Sequence, residues 1–299
     1  MMENDNQQRK TDASYLSGKK IFDRITTCDS TIGGIFGSIT GSQGSGKTAM
    51  MLGISEILMK KYPNQKIFWS ISYDSPMQIL KLPDGKWNIL VQRDCPVKFY
   101  DRDDNMAEVN LPVTHFGTYK ECYEKAKTGM VNCVFFKRRE SWMTFISFLR
   151  KSIPEWKHVF LDDIAEIVPN NPTGKRYHLQ QKFLSDCVEI RKSLMNVFYN
   201  TQIGSDVDFR IKNKTMLFIF LPGARHITGR RVTQRAINSL RKDPIHGNEA
   251  WVEYDNIFGK MTLTTIYEPI KGRNIQASLP TDYESMDAEI EAIYESEKA

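Results

Sequence analysis

Gly41-Ser42-Gln43-Gly44-Ser45-Gly46-Lys47-Thr48 lies between the apolar run Ile35 to Thr40 and a segment with Met50, Met51, Ile54, Ile57 and Leu58 on one helical face. The octapeptide fits G-x-x-x-x-G-K-[ST] without a mismatch. Its flanks are those the motif needs, a buried strand before and an amphipathic helix after. The glycines let backbone amides turn inward around phosphate oxygens, and the helix N-terminus adds partial positive charge. In such a loop Gly41, Ser42, Gln43, Gly44, Ser45 and Gly46 cradle the nucleotide. Lys47 reaches its β- and γ-phosphates, and the Thr48 hydroxyl binds Mg²⁺. The expected cofactors are ATP and Mg²⁺. Lys60 and Lys61 suit the C-terminal end of the helix, and Pro63 stops it.

Downstream, strands and helices alternate. Strands are expected at Lys66 to Ile71, Val131 to Phe136, Val159 to Asp162, Asn196 to Thr201 and Met216 to Leu221. Between them, helices are expected at Tyr119 to Lys127, Trp142 to Arg150 and Gly174 to Leu194. A helix over 230–242 and two strands near 249–255 and 260–268 complete the series. This alternation predicts a mainly parallel sheet with helices on both faces. Residues 77–115 break the rhythm: Asp84-Gly85 is a turn signal, and two short apolar runs flank the polar tip Asp101 to Asn105, so a small β insertion is expected. Residues 1–14 read as a disordered arm, 15–280 as one domain and 281–299 as an acidic tail with seven acids and one lysine.

A triphosphate site also needs a carboxylate at the end of a neighbouring strand. His158-Val159-Phe160-Leu161-Asp162-Asp163 supplies one, with Asp162 emerging at the carboxyl end as the Mg²⁺ residue. Asp163 is a candidate to polarise the attacking water; Glu166 is a rival with longer reach. The strand Asn196 to Thr201 runs on into Gln202, and Thr201 or Gln202 would hydrogen-bond the γ-phosphate or its water.

Phe209 to Lys242 holds nine Lys/Arg and no Asp/Glu. Arg210, eight residues past Gln202, is a candidate to stabilise transition-state charge in a neighbouring subunit's site. Over 230–242, Arg231, Arg235, Asn238 and Lys242 share one helical face opposite Val232, Ala236 and Leu240. A basic face of this kind suits contacts to a DNA phosphate backbone.

Composition excludes several classes. The apolar fraction is 40% and the charged fraction 26%, with a net charge of +5, which argues against a mainly disordered chain. Five scattered cysteines form no C-x-x-C and read as reduced thiols, so a cytoplasmic location is expected (the host's, if the protein is viral). The polar start carries no secretory signal, and no run of about 18 apolar residues predicts a membrane span.

The order of phosphate loop, Asp-Asp strand, helix of about twenty residues, strand ending Thr-Gln and then an arginine resembles the FtsK–HerA superfamily of DNA-pumping ATPases. Within it, the chain resembles viral genome-packaging ATPases and Zot-like proteins, over roughly residues 32–223. The resemblance implies a RecA/FtsK-like P-loop NTPase fold and a homo-oligomeric ring, usually a hexamer, with ATP sites between subunits and duplex DNA in the pore. The leading expectation is an ATP-hydrolysing motor that moves double-stranded DNA in genome packaging or transfer. Two alternatives stand beside it: a single-strand helicase or recombinase-like ATPase, and a nucleotide-switched assembly or regulatory protein with slow turnover.

Overall fold

The computed structural model describes residues 18–168, 174–202, 207–224, 247–254, 257–262 and 274–279. The strands are β1 (Phe36–Thr40), β2 (Lys66–Ser70), β3 (Trp87–Gln92), β4 (Lys98–Asp101), β5 (Ala107–Glu108), β6 (Val113–Phe116) and β7 (Val131–Phe135). They continue as β8 (Lys157–Leu161), β9 (Met195–Thr201), β10 (Leu217–Phe220), β11 (Glu249–Tyr254), β12 (Ile257–Thr262) and β13 (Ile275–Ser278). The helices are α1 (Gly18–Ile25), α2 (Lys47–Lys61), α3 (Tyr119–Lys125), α4 (Ser141–Ser152), α5 (Ile164–Ile167), α6 (Gly174–Glu189) and α7 (Phe209–Lys212). Two 3₁₀ turns, Gln78–Lys81 and Ile190–Ser193, complete the set; the second ends the long helix earlier than its apolar pattern suggests.

Among the described residues ten strands form one sheet in the order β12-β11-β10-β1-β9-β8-β2-β7-β3-β6. From β10 to β6 every neighbouring pair is parallel; β11 and β12 add antiparallel strands at one edge. The central strands are buried on both faces because helices cover both. On β8 and β9, Phe160 and Phe198 face the side of α1 and α2. The alternate residues Val159, Leu161, Val197 and Tyr199 face the side of α3, α4 and α6.

An aromatic row crosses the first face. Trp69 stacks on Phe160 at 5.1 Å between ring centroids, and Phe160 on Phe198 at 5.2 Å. The next residue in register is Gly37. A Cβ there would lie 3.1 Å from the Phe198 ring and 2.9 Å from Leu217 Cδ2, so the row needs glycine at that point. On the other face α4 packs on α6, joined by Ser147 and Arg150, both bonded to the buried Asp186.

Residues 77–115 prove to be only partly an insertion. The strands β3 and β6 belong to the main sheet, parallel to β7 and to each other. The separate small sheet is β13-β4-β5, and its edge strand β13 comes from far along the chain. The turn signals hid this, because short strands interrupted by polar turns look alike whether they join a large sheet or a small one. The helix expected over 230–242, the arm 1–14 and the tail 281–299 lie outside the described residues. Among the described residues no helix is long and apolar enough to cross a membrane.

Candidate functional site

The parallel strands bring their carboxyl ends to one edge of the sheet. Thr40 at the end of β1 is level with Thr201 at the end of β9, and Leu161 at the end of β8 is level with Tyr199. The chain therefore delivers Gly41, Asp162 and Gln202 to the same edge. One detail differs from expectation. The acidic strand β8 is not the neighbour of β1, since β9 runs between them.

The loop after β1 turns through Gly44 and Gly46, with φ of 74° and 88°. L side chains rarely adopt such angles, so these two positions require glycine. Gly46 caps α2 without any side-chain hydrogen bond to the helix N-terminus. The Lys47 ammonium lies across the loop and donates to the carbonyl oxygens of Gly41 (3.0 Å) and Ser42 (2.9 Å). Burial lowers the Lys47 pKa, against the opposing charges of Asp162 and Asp163. The far wall is the β10 end, where the Ser42 amide donates to Pro222 O at 3.2 Å. The Ser45 hydroxyl is buried in the loop with no hydrogen-bond partner among the described residues. A loop of inward-turned backbone with an orphan hydroxyl and an ammonium fits a phosphate group.

Thr48, in the first turn of α2, donates from Oγ1 to Asp162 Oδ1 at 3.2 Å. Asp162 is buried, and its pKa is raised by burial more than hydrogen bonds from Asn200 and Thr48 lower it; the Asp163 charge raises it further. A hydroxyl and a carboxylate side by side are hard oxygen donors that fit Mg²⁺. Among the described residues no cluster of three or more His, Cys, Asp or Glu could hold a metal by itself. A divalent cation here would lean on phosphate oxygens and water, as Mg²⁺ usually does.

Asp163 occupies the left-handed region, with φ 49° and ψ 82°. Its charge, with that of Asp162, opposes the lowering of the Lys47 pKa by burial. Glu166 is engaged elsewhere. It forms an ion pair with Arg139 Nη2 at 2.5 Å and accepts from Ser72 Oγ at 2.6 Å. Arg139, just beyond the end of β7, also donates to Ile71 O at 2.6 Å and lies over the Tyr73 ring. Thr201 is buried at the end of β9, and Gln202 is exposed just past it. Arg210 is folded against its own helix cap. Asp208 accepts from the Arg210 amide (2.8 Å) and from Nε (3.0 Å) and Nη2 (2.5 Å), and also from Gln180 Nε2 at 2.9 Å. This pairing holds the Asp208 pKa below its ordinary value.

Lys47, Thr48, Asp162, Asp163 and Gln202 thus share one edge, and Glu166 borders it. Arg231, Arg235 and Lys242 lie outside the described residues. Sequence reasoning missed Asn200, Arg139, Ser72 and Asp208. Asn200 lies inside the strand that leads to Gln202, and its place in the polar run Asn200-Thr201-Gln202 at the strand's carboxyl end is the signal that could have found it. Arg139 and Ser72 carried no pattern of their own.

A phosphate loop after β1, an acidic pair after β8 and a buried strand β9 between them with a polar end settle the architecture. The fold is that of a P-loop NTPase. No protein-family model matches the chain, and no curated protein matches it. Among solved structures it is similar, at low identity, to the three that follow. The genome packaging NTPase B204 from Sulfolobus turreted icosahedral virus 2, in complex with sulfate, is 9% identical with a TM-score of 0.48, covering 81% of this chain and 98% of that one. The pCW3 conjugation coupling protein TcpA is 11% identical with a TM-score of 0.44, over 77% of this chain and 60% of that one. The N-terminal domain of zonular occludens toxin from Neisseria meningitidis is 11% identical with a TM-score of 0.33, over 85% and 98%. At these identities the likeness is one of fold.

Proposed function

We propose that this P-loop NTPase hydrolyses ATP and uses it to move double-stranded DNA, as in packaging or transfer of a virus or plasmid genome. The observation that carries the ATPase reading is the meeting of Lys47, Thr48 and the buried Asp162 at the carboxyl ends of β1 and β8. The residues 41–48 hold the triphosphate. Lys47 exchanges its two backbone carbonyl partners for β- and γ-phosphate oxygens, which is favourable because an ammonium bonds an anion more strongly than a neutral carbonyl. Thr48 and Asp162 hold Mg²⁺, which supplies charge neutralisation across the phosphates. Asp163 takes the proton of the attacking water, with Glu166, held by Arg139 and Ser72 beside the site, as its rival. Gln202 senses the γ-phosphate.

The DNA reading rests on the acid-free stretch 209–242 with its nine cations and on the motif order. Arg231, Arg235 and Lys242 contact the phosphate backbone. Arg210, presented by Asp208, completes the site of the next subunit in a homo-oligomeric ring. The protein would act in the cytoplasm.

The test is ATP turnover with and without duplex DNA, alongside solution mass. Turnover should rise with duplex DNA in an oligomer, and Lys47→Ala should lose it by about 10²-fold or more while remaining folded. Stimulation by single strands alone would favour a helicase or recombinase-like role. Binding of ATP without stimulated turnover would favour a nucleotide switch.

A further inference from the structure

Asn200 is the penultimate residue of β9, the strand that separates the phosphate-loop strand from the acidic strand. It is buried, level with Ile39 of β1 on one side. On the other side the register places it level with Asp162, one residue past the Leu161–Tyr199 pair. Its amide is engaged at both ends. One Nδ2 hydrogen goes to Asp162 Oδ1 in a short hydrogen bond, and Nδ2 also lies 3.3 Å from Met51 Sδ on α2. Its Oδ1 accepts the backbone N–H of Asp163 at 2.8 Å. The amide cannot be turned over. The flipped form would set oxygen against the Asp162 carboxylate and NH₂ against the Asp163 N–H.

Asp162 and Asp163 are thus held by one side chain in two different ways. The donor end keeps the Asp162 carboxylate beside Thr48. The acceptor end ties down the amide of a non-glycine residue in the left-handed region, a conformation that persists only where surroundings impose it. We infer that Asn200 is a positioning residue that orients the metal-binding carboxylate of Asp162 and the backbone of Asp163 together. This rests on the NTPase reading of the site. It also gives β9 a second task, because the strand whose end carries Gln202 is bonded directly to both acids. Only asparagine offers a donor and an acceptor at this reach from the backbone: leucine offers neither, and an ionised aspartate loses the donor and adds a third negative charge beside Asp162 and Asp163.

The experiment compares wild type with Asn200→Ala and Asn200→Asp. It measures steady-state ATP hydrolysis, binding of a fluorescent ATP analogue with and without Mg²⁺, and melting temperature. Asn200→Ala should lower kcat by about 10²-fold, as misplacement of reacting groups by about 1 Å does, with KM for ATP within about threefold. Its binding of the analogue without Mg²⁺ should match wild type, while the gain on adding Mg²⁺ should shrink. Asn200→Asp keeps the shape and guards against loss of folding. It should be as slow as the alanine variant and show the same reduced gain on adding Mg²⁺, with a melting temperature within a few degrees of wild type. A merely structural asparagine would leave the Mg²⁺ gain unchanged. A kcat within about threefold of wild type in both variants, or an unchanged Mg²⁺ gain in both, overturns the inference. A wild-type protein that neither binds nor hydrolyses ATP fails the NTPase reading itself, and this inference falls with it.

Discussion

Replacing Asp162 by asparagine should stabilise the apoprotein while removing its chemistry. The carboxylate is buried, and its pKa stands above the ordinary value because desolvation outweighs the hydrogen bonds from Asn200 and Thr48, with the Asp163 charge adding to the effect. An asparagine oxygen can still accept from both donors. Each bond weakens from charge-assisted to neutral strength, a loss of about 1 kcal/mol apiece. Against this, the cost of an ion in a low-dielectric site disappears, and that cost is several kcal/mol even after relaxation. The balance is a gain of about 1–2 kcal/mol at neutral pH, which for a chain of this size is roughly 2–4 °C in melting temperature. The pH dependence has a definite sign. A carboxyl whose folded pKa is raised gives up its proton more readily in the unfolded chain. The stability tied to it is full below the ordinary carboxylate pKa and is lost as pH rises through the folded value. The advantage of Asp162→Asn over wild type should therefore be near zero around pH 4 and grow toward neutrality. Thermal melts in EDTA, without nucleotide, read it directly. A variant that melts below wild type at neutral pH, or an advantage that does not change with pH, would refute the reasoning.

Asp163→Asn should slow hydrolysis by about 10²–10⁴-fold while sparing ATP binding, and Glu166→Gln should fall far less, because Glu166 is already engaged by Arg139 and Ser72; single-turnover rates decide between them. Arg210→Ala should keep DNA binding and lose turnover, and mixing it with Lys47→Ala subunits should restore some hydrolysis, since an arginine acting across an interface needs only one intact loop. It should also lower melting temperature, because Asp208 is buried and would lose its guanidinium partner. The Arg231→Ala/Arg235→Ala double variant should weaken duplex DNA binding at all sequences alike and lower the slope of log affinity against log salt by about 1.8; an unchanged slope would count against phosphate contacts there.

The phosphate loop, the strand before it and the helix after it were legible in the chain alone, because eight consecutive residues carry the loop's chemistry and the periodicity of each flank is local. The same holds for Asp162 and Asp163, which follow an apolar strand directly. Tertiary structure decided what depends on which strands become neighbours. Nothing local in Asn196 to Thr201 says that this strand enters between β1 and β8, yet that placement turns Asn200 into the partner of both acids. The bonds of Glu166 to Arg139 and Ser72 join three segments far apart in sequence, and only folding shows that a carboxylate of suitable reach is already paired. Likewise β3 and β6 read as parts of an insertion because their short runs resemble any hairpin, while their membership of the main sheet comes from hydrogen bonds to β7 and to each other. Side-chain chemistry and short-range periodicity are written along the chain; strand order and the choice of hydrogen-bond partner are settled by burial and register, which bring together residues tens of positions or more apart only once the sheet has formed.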